Sequence, residues 1–127
     1  MDRITYRSDD ERREHCLSKG IDPKQHCCLD MAWFIANPVE WPSQGVNPVM
    51  AWIPFHDEYK ISIPRGGHVS IPVRWCPWCG SKLPKSKRGL WYKALYEMGF
   101  EDPGNDQIPE EFNSDQWWRS RQINEGV

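Results

Sequence analysis

No apolar run in this 127-residue sequence approaches the roughly 20 residues that a membrane-spanning helix needs. The opening residues, 1–7, contain no apolar stretch of the kind a secretory signal requires, so a cytoplasmic protein without membrane contact is expected. A large excess of charge of one sign is also lacking. A net charge of -2 excludes a uniformly basic surface for wrapping nucleic acid and leaves room only for a local basic patch. There is no glycine-rich phosphate loop, no paired-carboxylate motif of useful specificity, no internal repeat and no low-complexity tract. Only one Cys-x-x-Cys is present, at Cys76 and Cys79, so a four-ligand site built from two such motifs is excluded.

The chain does hold eight Trp and eleven Pro, many for its length, which point to a small, aromatic, loop-rich core. Its length suits a single domain. Its five cysteines (16, 27, 28, 76 and 79) are odd in number. In a reducing compartment they fit metal ligands or free thiols better than disulfides.

Ser8-Asp9-Asp10-Glu11 fits a capping box, and Gly20 follows the charged run to Lys19, so residues 1–23 read as a charged arm or short exposed helix. Prolines 23, 38, 42 and 48 surround the apolar run Met31–Ala36, which reads as one short strand or buried turn in irregular chain. Beyond Val49 the apolar period becomes two: Val49, Ala51, Ile53 and Phe55, then Tyr59, Ile61 and Ile63, then, after Arg65-Gly66-Gly67, Val69, Ile71, Val73 and Trp75. This predicts an antiparallel meander, with Pro64 and Pro72 at an edge or bulge. Ser86 opens a helical pattern of Leu90, Trp91, Ala94, Leu95 and Met98 that Gly99 ends, predicting a helix over 86–98. A short terminal helix is expected to dock Trp117 and Trp118. The fold class is therefore α+β: a small antiparallel meander carrying a zinc knuckle, one main helix and a short C-terminal helix, with residues 24–127 as the zinc-bearing domain.

A strand that runs into Cys76-Pro77-Trp78-Cys79-Gly80 is the sequence form of half a zinc site. Two thiolates two residues apart converge on one ion, and turn N–H groups favour the ionised sulfur. The other half must come from His26-Cys27-Cys28, with His15-Cys16 as a weaker reserve. Adjacent side chains in extended backbone point apart, which favours His26 with Cys28; the stronger hold of thiolates on zinc favours Cys27 with Cys28. The candidate ligands of a structural zinc ion are ranked Cys76 and Cys79, then Cys28 and Cys27, with His26 as a substitute. Redox chemistry at Cys76–Cys79 would need a helix opening on the motif, and Gly80 and Pro84 stand there instead.

His26-Cys27-Cys28-x-x-Met31, Asp57-Glu58-Tyr59 with Gly66-Gly67, Cys76-Pro77-Trp78-Cys79-Gly80-x-Lys82-Leu83-Pro84 with Lys87-Arg88 and Trp91, and Ile108-Pro109-Glu110 with Trp117-Trp118 together resemble an uncharacterised family of small bacterial and phage zinc-ribbon-like domains, over about residues 24–119. The resemblance implies a compact zinc-bearing domain with the two cysteine elements as ligands, and it brings no known activity. The Arg-rich residues before Lys24 and the proline-rich stretch near Trp41 lie outside the pattern.

His56-Asp57-Glu58 ahead of Cys76 and Cys79 superficially matches a zinc deaminase. The match lacks the proline before the first cysteine and the helix starts that such enzymes use, and a solvated hairpin margin is the plainer reading. Lys82, Lys85, Lys87, Arg88 and Lys93 form a basic cluster that, with Trp78, offers a partner surface. The leading expectation is a non-enzymatic zinc-stabilised module that binds a protein, in the setting of a phage or mobile element acting on a host machine. The alternatives are a nucleic-acid-binding ribbon using residues 82–93 and a zinc hydrolase or deaminase.

Overall fold

The computed structural model describes residues 8–41, 45–64 and 68–123. The expected turn at Arg65-Gly66-Gly67 and the first seven residues of the N-terminal arm lie outside them. Among the described residues, four α-helices and two small antiparallel sheets make an α+β fold. Among the described residues no helix is long and apolar enough to cross a membrane. The chain divides into two compact units: Met1–Ala51 with Lys60–Leu83, and Trp52–Tyr59 with Pro84–Val127.

The first unit opens with α1 (Asp9–Ser18), N-capped by Ser8. The Ser8 hydroxyl accepts the Glu11 N–H at 3.2 Å and donates to the Glu11 carboxylate at 3.0 Å, so the capping pattern in the sequence is realised. A single 3₁₀ turn, Pro23–Gln25, leads into α2 (Leu29–Ala36). Here the reading of Met31–Ala36 as a strand or turn is corrected. The run lies in a helix, with Met31, Ala32 and Trp33 buried, and Leu29, Met31, Ala32 and Ala36 are good helix formers. Six apolar residues have no period by which to tell a buried helix from a strand.

Helix α1 packs on α2 through Cys16, Ala32 and Trp33, all essentially inaccessible to water. Several polar side chains around that cluster are paired. Arg12 meets Asp30 at 2.5 Å and lies over the Trp33 ring, and His15 Nε2 bonds Asn37 Oδ1 at 2.7 Å. Asn37 also caps α2 by donating its amide to the Trp33 carbonyl at 2.9 Å.

Segment 21–48 is less irregular than its prolines suggest, because β1 (Val39–Trp41) pairs antiparallel with β2 (Gly45–Asn47). A second sheet has the order β3-β4-β5, from Met50–Ile53, Glu58–Pro64 and His68–Pro72. Strands β4 and β5 are antiparallel, with Ile61 opposite Ile71 and Ile63 opposite Val69. Pro64 ends β4 and Pro72 ends the edge strand β5, where a missing N–H costs the ladder least. Strand β5 stops short of Val73, and Trp75 returns only as an isolated bridge partner of Lys82.

The second unit is organised by α3 (Arg88–Glu97) and α4 (Gln116–Ser120), with a 3₁₀ turn at Glu110–Asn113. Helix α3 starts two residues later than expected. Ser86 does not supply the cap residue, but its hydroxyl accepts the Arg88 N–H at 3.2 Å. At the other end Gly99 adopts φ +97, which lets its own N–H reach the Tyr96 carbonyl and the Phe100 N–H reach the Leu95 carbonyl.

Trp91, Leu95, Phe112, Trp117 and Trp118 form the core of this unit. Each indole among them has a backbone acceptor: Trp91 donates to Phe112 O, Trp117 to Phe55 O and Trp118 to Pro54 O, at 2.9, 2.7 and 2.7 Å. The α4 tryptophans thus bury a large apolar surface while satisfying the carbonyls of the Pro54–Asp57 turn.

Candidate metal centre

Two local structures in the first unit place sulfur atoms together. Residues 76–81 form a tight knuckle: Gly80 N–H donates to Cys76 O at 2.9 Å, Cys76 N–H to Ser81 O at 2.8 Å, and Trp75 bridges Lys82. The turn needs a left-handed residue, and Gly80 supplies φ +75. The Cys79 N–H points at Cys76 Sγ from 3.5 Å.

The other structure is the start of α2, where Cys28 is itself the N-cap. Its sulfur accepts the Met31 N–H at 3.4 Å, so the first turn of a helix solvates the thiolate as it would a carboxylate. The chain bends at residues 26–28, and this bend removes the difficulty expected of adjacent cysteines, which holds for extended backbone only.

The sulfurs of Cys27, Cys28, Cys76 and Cys79 all lie within 4.8 Å of one another. Cys28 Sγ stands 3.7 Å from Cys76 Sγ and Cys79 Sγ 3.5 Å from Cys27 Sγ. Four sulfurs at about 2.3 Å from a tetrahedral ion would be about 3.8 Å apart, so the cluster fits one metal ion held by four thiolates. None of the five cysteines is in a disulfide. His26 is not a member of the group, and Cys16 is buried with Ala32 and Trp33.

Aromatic packing supports the same alignment. Phe34 of α2 stacks on Trp78 of the knuckle, ring centres 4.7 Å apart and planes 4° from parallel.

The electrostatics of the four thiols are in conflict. Burial, together with the hydrogen-bonded sulfurs beside it, pushes the Cys27 thiol well above its ordinary range, and burial raises Cys28. Cys79 is lowered to about 6, first by the Ser81 hydroxyl 3.2 Å away and then by the Ser81 backbone. Cys79 is well solvated as a thiolate, while Cys27 and Cys28 resist ionisation. A divalent cation at the centre would relieve that conflict by compensating the sulfurs.

The proposed partner residues fall in both units. Lys82 is exposed in the first unit, and Lys85, Arg88 and Lys93 are exposed in the second. Lys87 is not a surface residue. It is 1% exposed, with its ammonium 2.6 Å from Asp57 and 4.5 Å from the centre of the Trp118 ring. Trp78 is half-buried against Phe34, and the exposed indole near the knuckle is Trp75.

The reading of His56-Asp57-Glu58 as a solvated margin is also corrected, since all three are buried. Asp57 sits at φ +46 at the end of the Pro54 turn and accepts from Lys87 and, at 3.0 Å, from the Trp52 indole. His56 packs edge-on to Trp91, and its carbonyl accepts the Lys87 N–H at 2.6 Å. The one sequence hint of this centre was the apolar lead Trp52-Ile53-Pro54-Phe55. Nothing in the chain order tied Asp57 to a lysine thirty residues on.

A family model for a domain of unknown function, DUF6980, matches residues 25–120. The chain belongs to this DUF6980 family. Both halves of the cysteine cluster and the Asp57–Lys87 pair lie inside the matched span, while the whole of α1 precedes it. No curated protein and no solved structure matches the chain.

Proposed function

We propose that this chain is a non-enzymatic binding module closed by one structural zinc ion on Cys27, Cys28, Cys76 and Cys79, and that it recognises a protein. The observation that carries the reading is the convergence of four sulfurs at tetrahedral spacing from two segments some fifty residues apart in sequence. A thiolate tetrahedron suits zinc, and four protein ligands leave no position for a bound water or substrate. This argues for a structural ion over a hydrolytic or deaminase centre. Metal binding worth about 10–16 kcal/mol would then be part of the folding free energy.

A protein partner is supported by apolar side chains left in water: Val69, Ile71 and Trp75 are each about half exposed, as are Tyr96 and Met98. Nucleic acid is the second reading, favoured by the exposure of Lys82, Lys85, Arg88 and Lys93. The test is capture from a bacterial lysate on the zinc-loaded chain. Recovery of a stoichiometric protein that survives nuclease treatment supports the proposal. Recovery of nucleic acid alone, released by salt, overturns the choice of partner.

A further inference from the structure

The sheet of β3, β4 and β5 is unfinished on one side. Strand β5 is its last strand, and among the described residues nothing pairs with it beyond β4. A sheet edge presents unpaired N–H and C=O groups, and natural edges are usually blunted by charge or a covering segment. On β4 and β5 the facing pairs Ile61–Ile71 and Ile63–Val69 share one face of the pleat. Ile71 is 51% and Val69 50% exposed, so this aliphatic patch is in water next to the free edge. Just past the strand, Trp75 is 57% exposed and stands across from Lys82.

Charge decides what fits there. Between Tyr59 and Leu83 the sequence contains no Asp or Glu and four Lys or Arg. Lys60 lies in β4, while Arg74 and Lys82 are exposed beside the end of β5. An edge strand with branched aliphatic side chains on its face, an indole at its end and only positive charge along its own segment matches one kind of occupant.

We propose that β5 is the docking site for an extended, acidic segment of the partner protein. It would add as a fourth strand, setting alternate apolar side chains on Val69 and Ile71 and its carboxylates toward Arg74 and Lys82. The Trp75 ring covers one end of the segment as a hydrophobic anchor. The inference rests on the protein-binding reading above and narrows it to a surface and a chemistry. Nucleic acid is the weaker fit, because bases gain nothing from a pleated aliphatic patch that a basic, aromatic groove would not give them better.

The test uses the full zinc-loaded chain on an array of short synthetic peptides of varied charge, with binding read by fluorescence anisotropy. Peptides that alternate apolar with acidic residues should bind, their lysine counterparts should not, and Ile71→Lys and Trp75→Ala should each weaken binding at least about tenfold. Both side chains are exposed, so metal content and circular dichroism should be unchanged. Should Ile71→Lys disturb folding, Trp75→Ala decides alone. Absence of any peptide binder, equal binding of acidic and basic peptides, binding of a single-stranded oligonucleotide only, or a dimer that Ile71→Lys dissociates would each overturn the proposal. A captured lysate protein insensitive to both substitutions would overturn it while leaving the binding-module reading intact.

Discussion

Replacing Lys87 by Met removes a buried ammonium while nearly preserving side-chain length, and it leaves the Asp57 carboxylate in a site where it is 8% exposed. The pair is held at 2.6 Å, and the Trp52 indole fills one further acceptor position on Asp57. Breaking a buried pair by removing one partner costs about 3–5 kcal/mol, because the remaining charge must be neutralised or solvated in place. The lost cation–π contact with Trp118 adds to that. Against a whole-protein stability of about 5–15 kcal/mol, such a loss should lower the melting temperature by about 10 °C or more.

The assay is thermal unfolding in zinc-replete buffer, run as a cycle with Asp57→Asn and the double variant. Asparagine tolerates the left-handed backbone at position 57 and keeps an acceptor for Trp52. The double variant should be less destabilised than the sum of the singles by about 2 kcal/mol, since it strands no charge. A Lys87→Met protein that melts within about 2 °C of the parent, or strictly additive effects, would refute this account of the centre.

Cys28→Ser separates two roles, because serine is a good N-cap for α2 but a poor zinc ligand. The variant should lose bound metal and metal-dependent stability, read by elemental analysis and by melting with and without chelator. Gly80→Ala places a Cβ that meets nothing within 4 Å, so only the left-handed backbone at φ +75 is penalised. A loss of about 1–2 kcal/mol in urea unfolding is expected, with metal stoichiometry retained.

The parts of the fold legible from sequence were those set by local rules. The Ser8 cap, the glycine that ends α3 and the knuckle around Cys76 and Cys79 each depend on a few neighbouring residues with one favoured geometry. What was not legible depends on long-range pairing. Helix α2 is recognisable only once Cys28 is seen as its N-cap and α1 as the surface burying Trp33. Lys87 looked like one more member of a basic run, because its neighbours in sequence are exposed and its partner lies thirty residues back. The choice between His26 and Cys27 also needed the structure, since a single bend at residues 26–28 decides whether adjacent side chains can converge. The tryptophans were legible as core but not as donors to the Pro54–Asp57 turn.

The central claim is a closed four-thiolate zinc site, and X-ray absorption at the zinc edge on the purified chain, with elemental analysis of the same sample, tests it most directly. The account predicts one zinc per chain with four sulfur neighbours at about 2.3 Å and no nitrogen or oxygen ligand. A folded chain without metal, or an ion whose coordination includes a light-atom ligand in place of one sulfur, would contradict it.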